Sequence, residues 1–338
     1  LPLLRSAELH IGGNNVEEAD RTHARAMQVL RHPTLRREFV SRWRTALEVL
    51  PVPDRVRLYR SAAERALAIR EAEEARGWAE LATRLAGDQI DVTILLAQAL
   101  VSSGDFVAAR ATLDHARKLS GADDFALLIS VERAEIALRD GELDLAKREA
   151  LAASEKRDAP ALALRARNIL GKVLLAESDW EKADFHFAED ALFAAAAGEA
   201  TAELRARLNR GIALMSRGLH DEAGDILRAV ERDGRTLNNP AACAYAAENL
   251  AILATWHHEY GRALQYSERA LEHMIQAGDR VTVSLVLANL AELRCKLGLF
   301  THAEHALAFG KQVIGPGMPP AVSASFGVTG ARLALIRG

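Results

Sequence analysis

Apolar side chains recur along this chain at the three- and four-residue spacing of amphipathic helices, not at the alternate positions of strands. In the segment that reads as a helix over 202–217, Leu208, Gly211 and Leu214 share one face. A small residue returns in that register at Ala97, Ala134, Gly171, Gly211, Ala251 and Ala291. Each such helix is expected to stop at Gly104, Gly141, Ser178, Gly218, His258 or Gly298, a turn position that suits glycine because it favours positive φ. Two residues later stands a side chain able to wedge between helices: Phe106, Leu143, Trp180, His220, Tyr260 or Phe300. Five residues after each turn comes an alanine, and Ala109, Ala146, Ala183, Ala223, Ala263 and Ala303 are separated by 37, 37, 40, 40 and 40 residues. A fixed period of that size predicts one helix–turn–helix unit stacked on copies of itself. Alanine falls where the axes of a pair pass closest, since a larger side chain there would push them apart.

The copies "LLAQALVSSGDFVAARATLDHA", "ILGKVLLAESDWEKADFHFAEDAL", "LAILATWHHEYGRALQYSERAL" and "LAELRCKLGLFTHAEHAL" resemble the tetratricopeptide repeat. That signature sets a large residue, Leu and a small residue in the first helix, and Gly, an aromatic and Ala around the second. The resemblance covers residues 90–338 and implies an all-α superhelix, a solenoid of about six to eight antiparallel helix pairs. The repeats lie near 90–126, 127–163, 164–203, 204–243, 244–283 and 284–323, with a partial one over 324–338. Their period exceeds the 34 residues of the family, which implies helices longer by about a turn or longer links. Longer repeats of this kind are similar to those of kinesin light chain and of large bacterial transcriptional activators.

Residues 1–89 fit less well. Helices are expected over 14–30, with Ala19 at the alanine position, and over 36–50, 55–70 and 74–86. The period leaves an odd helix over, so this part reads as an irregular cap or a degenerate repeat pair. Thr201 and Asp279 are expected helix caps, and Ile314–Pro320 (IGPGMPP) is the longest breaker.

Composition narrows the function. With 49% apolar and 26% charged residues the chain can bury a core, and a net charge of −3 offers no basic footprint for nucleic acid. No apolar run reaches the roughly 18 residues of a membrane span. Cys243 and Cys295, far apart and outside any metal-ligand spacing, read as reduced thiols of a cytoplasmic protein. The chain begins at Leu1 without a Met and ends at Gly338, itself a turn position, so both ends read as cut from a longer polypeptide.

Helical geometry puts positions 2, 6, 9 and 13 of a first helix opposite the buried positions 4, 7, 8 and 11. Position 6 holds Asn209, Asn249 and Asn289, forty residues apart. A primary amide can pair with the N–H and C=O of an extended peptide, and similar asparagines clamp ligand backbone in peptide-binding tetratricopeptide proteins. The same asparagines could instead bond to the next helix and order the stack. Around them the face runs from Asp91, Glu132, Glu135 and Arg139, through Arg165, Lys172 and Arg205, to Tyr245, Ile252, Trp256, Glu292 and Lys296. A basic middle and an aromatic end would suit a peptide with acidic and apolar side chains, against the plainer reading of a solvated face. Tyr245 and Trp256 could also pack on each other.

No enzyme signature is present: no Gly-rich phosphate loop, nucleophile elbow or kinase motif. His257, His258 and Glu259 lie in a turn where adjacent side chains diverge, and His302 and His305 lack a third ligand, so no metal site and no cofactor are expected. The expected function is a protein- or peptide-binding scaffold, a fragment of a larger regulatory protein that captures an extended segment in its concave groove. The alternatives are an effector-sensing module of a bacterial transcriptional activator or ATPase-linked regulator, and a purely oligomerising array.

Overall fold

The computed structural model describes residues 2–337 apart from 14, 31, 32, 70, 120, 157, 278, 279 and 315–319. Two compact units are present, Leu1–Asp140 and Gly141–Gly338. The first contains α1 (Pro2–Gly12), α2 (Val16–Val29), α3 (Pro33–Leu47), α4 (Val52–Ala68), α5 (Ala72–Ala86), α6 (Ile90–Ser103), α7 (Phe106–Ala116) and α8 (Ala126–Arg139), with a 3-10 turn at Ala122–Phe125 before the last. The second contains α9 (Leu143–Ser154), α10 (Pro160–Ala176), α11 (Trp180–Ala196), α12 (Ala200–Ser216) and α13 (His220–Thr236). It continues with α14 (Pro240–Trp256), α15 (Tyr260–Ala277), α16 (Arg280–Lys296), α17 (Phe300–Ile314) and α18 (Pro320–Arg337).

In the first unit α2 to α5 answer to the four helices expected there, with ends shifted by up to three residues. Pro33 opens α3 and Pro53 sits in the first turn of α4, where a missing N–H leaves no intrahelical bond unmade. Phe39, Trp43, Leu47, Leu58, Tyr59 and Trp78 form the centre of this unit's core, and Ala19 is fully buried. His23 of α2 is buried among these rings. Its centroid lies 4.1 Å from that of Trp43, and Nη2 of Arg65 lies 2.9 Å from its Nδ1.

In the second unit α10 to α14 are each 17 residues long, and the links between them are three residues. Two such helices and two such links make the forty-residue period, so the excess over a 34-residue repeat lies in the helices. All six turn positions have positive φ: Gly104, Gly141, Ser178, Gly218, His258 and Gly298. Each of the six periodic alanines is fully buried. Two first-helix glycines meet the second helix of their pair at close range. A Cβ built on Gly171 would lie 2.4 Å from Phe187 Cε1, and one on Gly211 would lie 2.9 Å from Leu227 Cδ2.

Carboxylates buried at the helix contacts are paired with arginines. Asp190 accepts from Arg167, Asp184 from Arg210 and Arg217, and Glu231 from Arg235 and Arg269. Loss of one partner from a buried pair costs about 3–5 kcal/mol. Arg167–Asp190, Arg210–Asp184 and Arg269–Glu231 link different helices, whereas Arg235–Glu231 lies within α13. Thr201 lies inside α12, whose cap position is Glu199. Asp279 and most of the Ile314–Pro320 breaker fall outside the described residues. No described helix is long and apolar enough to cross a membrane.

Candidate functional site

The first helices of the second unit carry the residues singled out by the sequence. Asn209 is only 8% exposed and donates from Nδ2 to Asn168 Oδ1 at 2.8 Å. Asn289 is exposed and donates to Glu248 Oε1 at 2.6 Å. Both partners lie 41 residues back, at position 5 of the preceding first helix. For Asn249 that place is taken by Leu208, which offers no acceptor, and the amide donates instead to Tyr245 O of its own helix at 2.8 Å. Position 6 therefore does not face away from the stack throughout: a neighbouring first helix covers part of it.

Trp256 and Asn289 come together. They line a cleft of ≈ 280 Å³ between α14 and α16, completed by Ser267 and Ala270 of α15. Ala251, Ile252, Val286 and Leu293 give it apolar walls, while Glu248, Glu292 and Lys296 stand among the polar groups. The reason for the opening is local. Phe187 and Leu227 fill the space against Gly171 and Gly211, but forty residues after Leu227 stands Ser267, opposite Ala251. Two small side chains meeting there leave room that a large one occupies elsewhere.

Trp256 is 50% exposed at the rim. Its indole ring lies 5.5 Å from the ring of His220, which in turn is joined to His257 by a 3.2 Å ring-nitrogen contact. Glu292 is held by Lys296 at 3.4 Å and by Arg332 of α18 at 3.0 Å. Burial pushes the Glu248 carboxyl up from its ordinary pKa, opposed by the Asn289 amide. A carboxyl whose folded pKa is raised contributes stability that is complete below its unfolded pKa, about 4.3, and lost as pH rises through the folded value. Glu248→Gln is therefore expected to raise the melting temperature by a few degrees near pH 7.5. The gain should shrink toward zero near pH 4, as a thermal-melt series across pH would read.

The other named residues lie elsewhere. Tyr245 is half-buried against two apolar clusters of the core and does not line the cleft. Arg165 and Lys172 on α10 and Arg205 on α12 are half-buried, and each already holds an interaction within the protein. Glu248, Ser267 and Asn168 were not singled out by the sequence. The 41-residue step would have revealed Glu248 and Asn168, and the break in the Phe187–Leu227 series would have revealed Ser267. Among the described residues, no three His, Cys, Asp or Glu side chains are grouped to hold a metal ion. Cys243 and Cys295 are buried free thiols, and burial raises the pKa of each, which keeps them in the less reactive protonated form. What the cleft offers chemically is an apolar slot for one side chain, with an amide and an ammonium group at its edge.

No family model matches the chain, and no curated protein matches it. Solved structures do. The signal-transduction ATPase with a tetratricopeptide repeat sensor from Pyrococcus horikoshii aligns with TM-score 0.59 and 14% identity over 89% of this chain, which spans 50% of that one. A Rap protein complexed with Competence and Sporulation Factor aligns with TM-score 0.55 and 13% identity over 85% of this chain and 89% of its own. NprR in complex with its cognate peptide NprX aligns with TM-score 0.51 and 12% identity over 83% of each chain. At such identities the likeness speaks for the fold, and it agrees with the period, the buried alanines and the turn geometry. The chain is an all-α helical-repeat protein with the tetratricopeptide fold.

Proposed function

We propose that the second unit is a peptide-binding module that captures an extended segment along its first helices and is not an enzyme. An apolar side chain of the ligand enters the cleft between Ile252, Trp256 and Leu293, and Asn289 and Lys296 hold the adjoining backbone or a carboxylate. Asn249 and Asn209 continue the amide row with decreasing access, and Arg165, Lys172, Arg205 and Tyr245 flank the path. Trp256 carries this reading: a half-exposed indole at the mouth of an apolar slot has a use mainly when a partner covers it. The complexes of Rap with Competence and Sporulation Factor and of NprR with NprX support it by analogy of fold. The partner is a protein or peptide, met in a reducing cytoplasm, with no nucleic acid or membrane involved.

Selection of a random peptide library on the chain tests this. Trp256→Ala and Ser267→Leu should each lower capture of the enriched peptides at least tenfold while the helical spectrum stays unchanged. The leucine reproduces the pairing one repeat later, where Leu307 stands in the place of Ser267 and buried Ala291 in that of Ala251, so it fills the slot with a combination the stack already holds. Undiminished capture by both variants would overturn the proposal.

A second reading is an effector-sensing module coupled to an ATPase, favoured by the likeness to the Pyrococcus horikoshii protein with its repeat sensor. It predicts that filling the cleft protects amides far from α14 and α16 against hydrogen exchange. A passive scaffold would protect the cleft alone.

A further inference from the structure

The last helix leaves exposed a face that the preceding first helix, α16, buries completely. Ala324, Gly327, Val328, Ala331 and Leu335 fall within roughly 100° of arc on α18. All are exposed, Val328 at 64% and Leu335 at 84%. The opposite side is anchored: Phe326, Thr329 and Leu333 are buried, Phe326 stands against Gly310 of α17, and Arg332 holds Glu292. Forty residues earlier, the matching residues of α16 are Ser284, Leu287, Ala288, Ala291 and Cys295, none more than 5% exposed. What covers them is the second helix of that repeat. Ser284 Oγ donates to Gly310 O at 3.2 Å, and Leu287 lies against Gly310. The same face of α10 and α12 meets Phe187 and Leu227, each four residues after a periodic alanine.

We infer that the Ala324–Leu335 face of α18 is a docking seat for one amphipathic helix with the second-helix pattern. That helix has alanine near its fourth residue and a leucine or phenylalanine four residues on. The small residues Ala324, Gly327 and Ala331 permit the close backbone approach seen inside the stack, and Val328 and Leu335 supply the apolar contact. The seat belongs to the repeat register and is independent of the cleft at Trp256.

A fluorescein-labelled peptide with the sequence of α17, Phe300–Ile314, is the probe, titrated with the whole chain by anisotropy and circular dichroism. It carries Ala303 at its fourth position and Leu307 four residues later. Saturable binding with a gain of helical signal is expected, weakened at least tenfold by Ala331→Gln and left unchanged by Ile336→Gln, which lies off the stripe. Both variants alter exposed positions, and their unbound spectra should match the parent. Failure of the peptide to bind would overturn the inference, as would equal weakening by both variants. Concentration-dependent dimerisation of the chain that Ala331→Gln abolishes would also overturn it, by assigning the face to a second copy.

Discussion

Gly171→Ala should be one of the most damaging single-methyl changes in the protein. The added carbon would lie 2.4 Å from Cε1 and 2.5 Å from Cζ of Phe187, a ring that is itself fully buried and has nowhere to swing. Overpacking of this depth belongs at the upper end of the roughly 1–3 kcal/mol range, and alanine's better helix propensity returns only about 1 kcal/mol. A net loss of about 2 kcal/mol lowers the melting temperature by roughly 4–8 °C for a unit of this size. The decisive measurement is a double-mutant cycle with Phe187→Leu, which reproduces the Gly211–Leu227 geometry, where the nearest atom is the end of a flexible side chain. If Gly171→Ala costs as much in the Phe187→Leu background as in the parent, the helices are not in the contact described. The matching Gly211→Ala should be much milder for the same reason.

Acidification should selectively loosen the first unit, with His23 as the cause. Burial lowers its pKa well below the ordinary value, and the charges of Arg65 and Arg36 lower it further. Arg65 faces it from α4 and is itself bound by Asp20 of α2; Arg36 faces it from α3 and is held by Glu74 of α5 and by Glu71, the residue at the N-cap position of that helix. With a guanidinium donating to Nδ1, protonation there would break that bond and set two cations against each other. A group with a depressed folded pKa contributes stability that is complete above its unfolded pKa, about 6.5, and lost as pH falls toward the folded value. The unfolded chain takes up the proton first, so stability falls by up to about 1.4 kcal/mol per pH unit in that window. His23→Gln keeps an acceptor for Arg65 and cannot titrate. Its unfolding free energy should be flatter than the parent's between about pH 6.5 and 5. Parallel curves for the two proteins would show that another group governs the acid response.

Much of the second unit was legible because its signals are local or strictly periodic. Gly218, Ser178 and His258 mark the turns by their place in the period, and the backbone there has positive φ even where the residue is not glycine. The alanine series picked out positions on the second helices that are all fully buried. The candidate site was legible in part. Trp256 and Asn289 were named from helical phase and share one cleft, while Tyr245 and Asn209 were named by the same rule and are drawn into the stack. Phase on a single helix says which side a residue leaves from. It does not say whether the neighbouring first helix reaches that side.

What the order of residues settles alone is the helix-pair unit, its boundaries and its packing contact, because these follow from backbone sterics and from side-chain size at fixed spacing. Whether the longer period would go into helices or links was open until the stack showed 17-residue helices joined by three-residue turns. The cleft belongs to tertiary structure, since it exists only where Ser267 and Ala251, on different helices, both fall short of the space between them. The bonds from Asn209 to Asn168 and from Asn289 to Glu248 also depend on how one repeat is set on the next. That setting is fixed by the sum of contacts across the pair.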